Sequence, residues 1–130
     1  MLMYKLFAVV LVTMLVAGAP MVGQAQWDEA KNKWIVGDND AVFYTNASCT
    51  GPQYLLMQGV MEYPILHSVS TPGVKSWNNK IACAELGKNA VVTVYKVQYY
   101  KGTSLELTAG VHSFIGSRLG TDISSIRKTQ

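Results

Sequence analysis

Tyr95-Lys96-Val97-Gln98-Tyr99-Tyr100-Lys101-Gly102 has a weakened counterpart 51 residues earlier, in Tyr44-Thr45-Asn46-Ala47-Ser48-Cys49-Thr50-Gly51. The same shift lays Leu56-Met57-Gln58-Gly59-Val60 on Leu107-Thr108-Ala109-Gly110-Val111. Five identities then share one gapless register: Tyr44 with Tyr95, Gly51 with Gly102, Leu56 with Leu107, Gly59 with Gly110 and Val60 with Val111. A repeat of this length marks one supersecondary unit used twice. Further on, Asn78-Asn79-Lys80-Ile81-Ala82-Cys83 aligns with Gly120-Thr121-Asp122-Ile123-Ser124-Ser125 at a shift of 42, which implies nine extra residues in the first copy between Gly59 and Trp77. That insertion contains Pro64, Pro72 and Gly73 and reads as a loop.

The local patterns are those of strands. Ser104-Leu105-Glu106-Leu107-Thr108 alternates polar and apolar residues, and Val91 to Tyr100 is rich in β-branched and aromatic side chains. Long amphipathic helical stretches are absent, so the sequence predicts an all-β domain. A glycine six residues into a tight hairpin suits a turn with positive φ, the place held by Gly51 and Gly102. Residues 26 to 40 form a mixed, polar extension. Its Trp27 and Trp34 are seven apart, a spacing compatible with one face of a short helix, and as a pair they read as cover for a domain edge.

Tyr95-x4-Tyr100-x-Gly102, followed by a strand and by Ile123-Ser124-Ser125-Ile126-Arg127, resembles the Greek-key motif of the βγ-crystallin family. The resemblance covers Ala41 to Arg127. It implies two tandem motifs, 41–86 and 91–127, in a domain spanning 41–130, folded as a sandwich of two antiparallel sheets. In that family an aromatic covers the folded hairpin and a later serine ties it down, roles that fall here on Tyr100 and Ser125. Motif one has Cys49 and Cys83 at those two places, so the resemblance implies a Cys49–Cys83 disulfide standing in for the aromatic corner and serine clamp.

The family also carries a calcium signature of two Asn or Asp, two variable residues, then Ser or Thr and Ser; hard Ca²⁺ takes several oxygen ligands. Motif one keeps Asn78-Asn79 but has Ala82 at the hydroxyl position, and motif two keeps Ser124-Ser125 but has Gly120-Thr121 at the carboxamide positions. With ligands shared across motifs, as in the family, one site would combine Asn78 or Asn79 with Ser124 and a backbone carbonyl near Asp122. Its mirror site would lack ligands. The resemblance thus implies one weak Ca²⁺ site or none, the other reading being that Asn78-Asn79 is a plain turn.

Met1 to Lys5, the apolar run Leu6 to Ala19 and the small residues of Gly23-Gln24-Ala25 read as a signal peptide over 1–25, cleaved before Gln26. An uncleaved anchor is the competing reading, since Leu6 to Val22 is slightly shorter than a spanning helix. Export places both cysteines in an oxidising compartment. Asn46-Ala47-Ser48 reads either as a glycosylation sequon or as coincidence. After residue 25 there are ten Lys plus Arg against eight Asp plus Glu, with no block of like charge, which disfavours a nucleic-acid partner. His67 and His112 have no zinc-type spacing, and Glu62 and Glu106 do not form a paired acid and base.

The expectation is a secreted, non-enzymatic module with an unidentified extracellular partner, no membrane attachment after cleavage, and a monomeric or weakly dimeric state. The alternative is a secreted defence protein, an antimicrobial toxin or a protease inhibitor. An inhibitor would offer the inserted loop Glu62 to Ser76.

Overall fold

Ala41-Val42-Phe43-Tyr44 contains no polar residue, and in the computed structural model, which describes residues 24–130, all four are fully buried. A strand covered on both faces is central and has something packed on its outside. The leader lies outside the described residues. The described residues form ten strands and a single 3₁₀ turn at Leu66–Ser68: β1 (Gln26–Asp28), β2 (Lys33–Ile35), β3 (Ala41–Tyr44), β4 (Tyr54–Met57), β5 (Glu62–Tyr63), β6 (Cys83–Leu86), β7 (Val92–Val97), β8 (Lys101–Leu107), β9 (Gly110–Ser113) and β10 (Ser125–Lys128). All pairings between the strands are antiparallel.

Two four-stranded sheets run in the orders β4-β3-β6-β9 and β5-β10-β7-β8. Each sheet therefore takes three strands from one motif and the third strand of the other. Between them lies the main core, where Phe43, Met57, Leu66, Trp77, Ile81, Phe114, Ile123 and Ile126 are wholly shielded from water. Each such side chain contributes roughly 1.5–3 kcal/mol by burial.

Strand pairing corrects the repeat register. Tyr44 faces Tyr54 whereas Tyr95 faces Ser104, so the second hairpin closes with one residue fewer. The structural equivalent of Leu107 is therefore Met57, not Leu56, and both are core residues. Third-strand pairing places Tyr63 opposite Ile126 and His112 opposite Ala84, making Tyr63 and His112 equivalent. The loops that follow span 64–82 and 113–124, nineteen residues against twelve, so the insertion is seven residues rather than nine. The gapless alignment hid two single-residue slips, because identities at Gly59 and Val60 fell on turns where register is free to shift.

The helical reading of the tryptophan spacing is also corrected. Trp27 and Trp34 are direct cross-strand partners in the β1–β2 hairpin, whose turn carries Asn32 in the left-handed region (φ 56°) and an Asp28 Oδ1 that accepts from Lys31 N at 3.2 Å. Residues 37–40 clamp the hairpin to the domain: Gly87 N donates to Asp40 O and Asn89 N to Asp38 O, each at 2.9 Å. A Cβ on Gly87 would lie 1.8 Å from the Gly37 carbonyl oxygen, so this approach requires glycine.

Candidate functional site

The loops expected to hold a cation lie side by side. Asn79 N donates to Ile123 O at 3.1 Å, bringing residues 78–79 against 122–124. Ser124 is fixed just before β10, where its N donates to Tyr95 O at 2.9 Å and its carbonyl accepts from Leu66 N at 3.0 Å. Asp122 is exposed, and its N donates to Leu119 O. Asn79 sits in the left-handed region (φ 60°). Asn78 N is held by Ser76 Oγ at 3.3 Å, while Asn78 Oδ1 is cut off from water and has no hydrogen-bond partner. A buried acceptor left in that state costs roughly 1–3 kcal/mol. A cation or an ordered water would satisfy it. At the mirror position, Ala82 presents a buried methyl group where Ser124 has its hydroxyl.

The two hairpin corners are related as the repeat requires. In motif two Ser125, fully buried, accepts from Tyr100 N at 3.0 Å and donates to Val97 O at 2.7 Å. Tyr100 packs edge-on against Tyr95 with centroids 5.6 Å apart, and the Arg127 guanidinium stacks 3.7 Å above its ring. In motif one Cys49 and Cys83 are disulfide-bonded, with Cα atoms 5.2 Å apart. Cys49 (φ 57°) and Tyr100 (φ 63°) share the same left-handed backbone, so the bond takes the place of the serine clamp at an equivalent corner residue.

Asn46, the sequon residue, is fully used inside this loop. Its Oδ1 accepts from Ser48 N, Ser48 Oγ and Thr50 N, and its Nδ2 donates to Thr50 O. A glycan on Nδ2 would replace one of its two N–H donors and leave the other for the bond to Thr50 O.

Outside β4-β3-β6-β9 a second cluster forms from Val42, Tyr44, Cys49 and Cys83, with Trp34, Val36, Tyr54 and Leu56 packed on it. Trp27, Trp34 and Tyr54 stack as a triad with centroids 5.4–5.8 Å apart. Trp34 N donates to the Tyr44 hydroxyl at 2.9 Å, Gly51 N donates to Asn32 O at 2.6 Å, and Lys33 pairs with Glu85 at 2.8 Å. Burial raises the Tyr44 phenol above its ordinary pKa. The pairing registers explain why the hairpin covers this sheet. The row Leu56–Val42–Glu85–Val111 on this face corresponds to Glu106–Thr93–Arg127–Glu62 on the other sheet. Val42 and Leu56 of the first row lie in the cluster under the hairpin while Val111 stays exposed; the second row is polar and charged. Two consecutive buried faces in Ala41–Tyr44 were the sequence signal for this arrangement.

No family model matches the chain, and no curated protein matches it in sequence. Solved structures do match. The N-terminal domain of protein S superposes with a TM-score of 0.57 over 70% of this chain and 96% of that one, at 18% identity. A βγ-crystallin from Ciona intestinalis gives 0.55 over 70% and 100% at 17% identity, and a βγ-crystallin domain from Clostridium beijerinckii gives 0.56 over 69% and 97% at 18% identity. The chain has the βγ-crystallin fold. The third strands, β5 and β9, are exchanged between the two sheets.

βγ-Crystallin domains are typically non-enzymatic and often bind Ca²⁺. Glu62 pairs with Arg127 at 3.5 Å. It shares a cross-strand row with Glu106 but lies three strand spacings away, about 14 Å at roughly 4.8 Å each. That exceeds the reach of a glycosidase carboxylate pair. His112 Nε2 lies 2.6 Å from Thr108 O, and His67 is exposed on the 3₁₀ turn. Among the described residues no cluster of three His, Cys, Asp or Glu is placed to hold a metal.

Proposed function

We propose that the protein is a secreted, non-enzymatic βγ-crystallin module with one weak calcium site, built from Asn78 or Asn79, Ser124 and a carbonyl near Asp122. The observation that carries this reading is the buried, unpartnered Asn78 Oδ1 in a loop bonded directly to the Asp122–Ser124 segment. The ligands bring at most the single charge of Asp122, which places the affinity in the weak range of extracellular modules. Secretion rests on the leader and agrees with a buried disulfide.

The test is a thermal melt in calcium and then in chelator. Calcium at about ten times its Kd adds roughly 1.4 kcal/mol, a rise near 6 °C for a domain of this size. Ser124→Ala removes the shift, and Ala82→Ser adds a second site. An unchanged melting temperature across the calcium range would dismiss the site and leave a purely structural module.

A defence role on the same fold is the second reading. It draws on the rigidity of the inserted loop, where Thr71 and Val74 exchange two backbone hydrogen bonds around exposed Pro72 and Gly73. Cleaving this loop would abolish such an activity and leave a calcium-dependent shift in melting temperature intact.

A further inference from the structure

The inserted loop, longer than its counterpart in motif two, and the edge strand β4 meet at one cleft. It has a volume of about 590 Å³, within the usual range for small-ligand sites. One wall is β4, the edge strand of its sheet, contributing Tyr54, Leu55 and Leu56; the other is the inserted loop from Ser68 to Pro72, with Tyr63 beside it. Both walls are braced. Trp77, fully buried, donates its backbone N–H to Leu66 O and Val69 O and its indole N–H to Thr71 Oγ1 at 2.8 Å. Gln53 accepts from Thr45 Oγ1 at 2.9 Å, and the Tyr54 ring is held between Trp27 and Trp34.

The equivalent place in motif two is built differently. Ser104 occupies the position of Tyr54, and the Arg118 guanidinium bonds its carbonyl directly. No such side chain fills the cleft of motif one.

We propose that this cleft binds a neutral carbohydrate. No Asp, Glu, Lys, Arg or His lines it, so nothing in it selects a charged ligand. The hydroxyls of Ser68, Ser70, Tyr54 and Tyr63 and the edge backbone of β4 offer donors and acceptors that an apolar ligand would strip of water and leave unpaired. The Tyr63 ring with Pro52, Val69 and Pro72 supplies the apolar surface on which a sugar's C–H face rests. A flat, uncharged ring bearing many hydroxyls is the ligand class that uses all of these groups together.

The test is titration of the ¹⁵N-labelled protein with chitotriose, cellotriose and maltotriose to tens of millimolar, with glucuronic acid as a charged control. At least one neutral trisaccharide is expected to move the amides of Tyr54–Leu56, Tyr63 and Ser68–Thr71 together, with saturation. Ser68→Ala should weaken that binding several-fold. Ser70→Trp or Pro72→Arg, both at exposed positions on the rim, should abolish it while leaving the rest of the spectrum unchanged. Absence of movement with all three sugars, movement scattered over the surface, equal response to glucuronic acid, or binding that survives both rim variants would overturn the assignment. Calcium chelation should leave the titration unchanged, which separates this site from the Asn78 loop.

Discussion

Replacing Cys49 by alanine tests the staple of motif one and can be given a magnitude. The bond closes a sequence separation of 34 residues. The chain-entropy relation assigns about 3.8 kcal/mol to a loop of that length at 25 °C. For roughly 105 ordered residues the unfolding entropy is about 0.22 kcal/mol/K, so the melting temperature should fall by about 17 °C. Loss of one fully buried sulfur adds roughly 1 kcal/mol.

Because both sulfurs are inaccessible in the folded state, the assay should use urea titration with and without a phosphine reductant, which acts as molecules pass through the unfolded state. Without reductant, Cys49→Ala should lose close to 5 kcal/mol relative to the parent, the sum of both contributions. With reductant the parent loses its cross-link too, and the gap should shrink to the packing contribution of about 1 kcal/mol. Equal gaps under the two conditions would refute the cross-link as the origin of the stability.

Three further outcomes are expected. The double variant Tyr100→Cys/Ser125→Cys should form a second disulfide, since Tyr100 and Cys49 share one backbone conformation and Ser125 and Cys83 one strand position; intact mass showing two free thiols would break the equivalence of the corners. Trp34→Ala should cost about 3–5 kcal/mol in urea unfolding, because it opens the outer cluster over Val42 and Tyr44; a loss under 1 kcal/mol would mean that the hairpin is not a structural cover. Asp40 is buried, and burial raises its carboxyl above its ordinary pKa of 3.8 although Lys128 pulls the other way. The folded state then holds this proton more tightly than the unfolded one, so stability should rise as pH falls through the raised pKa toward 3.8, with no further gain below. Asp40→Asn should flatten that segment of the stability–pH curve; a segment that instead slopes downward on acidification would contradict the burial argument.

Motif two was legible because its chemistry is local. Tyr95, Tyr100, Gly102 and Ser125 each hold a place fixed by a turn or by one hydrogen bond, and those places survive in sequence. The pairing of Cys49 with Cys83 followed by substitution at the same places. The register beyond Gly51 was not legible, because a hairpin can drop a residue without disturbing the glycine that makes its turn. The β1–β2 hairpin was hidden for another reason. Its strands are three residues each, too short to show a period of two, and a separation of seven places two tryptophans as well on a helix face as across a four-residue turn. The calcium loop was visible only as residue types; that Asn78 Oδ1 is buried and unsatisfied is a property of the folded chain that no residue pattern carries.

The exchange of β5 and β9 between sheets bears on how the chain reaches this structure. Tyr63 must find Ile126, and Ala84 must find His112, before either sheet is complete. Pairings this distant in sequence make for slow, all-or-none folding. A fragment ending near Gly87 would lack β9 and hold β5 with nothing to pair against, so neither half is a folding unit alone. Two separately made halves should stay unstructured until mixed and then assemble at a rate set by their concentration. A single nick in the 87–91 connection, by contrast, would leave the folded molecule standing.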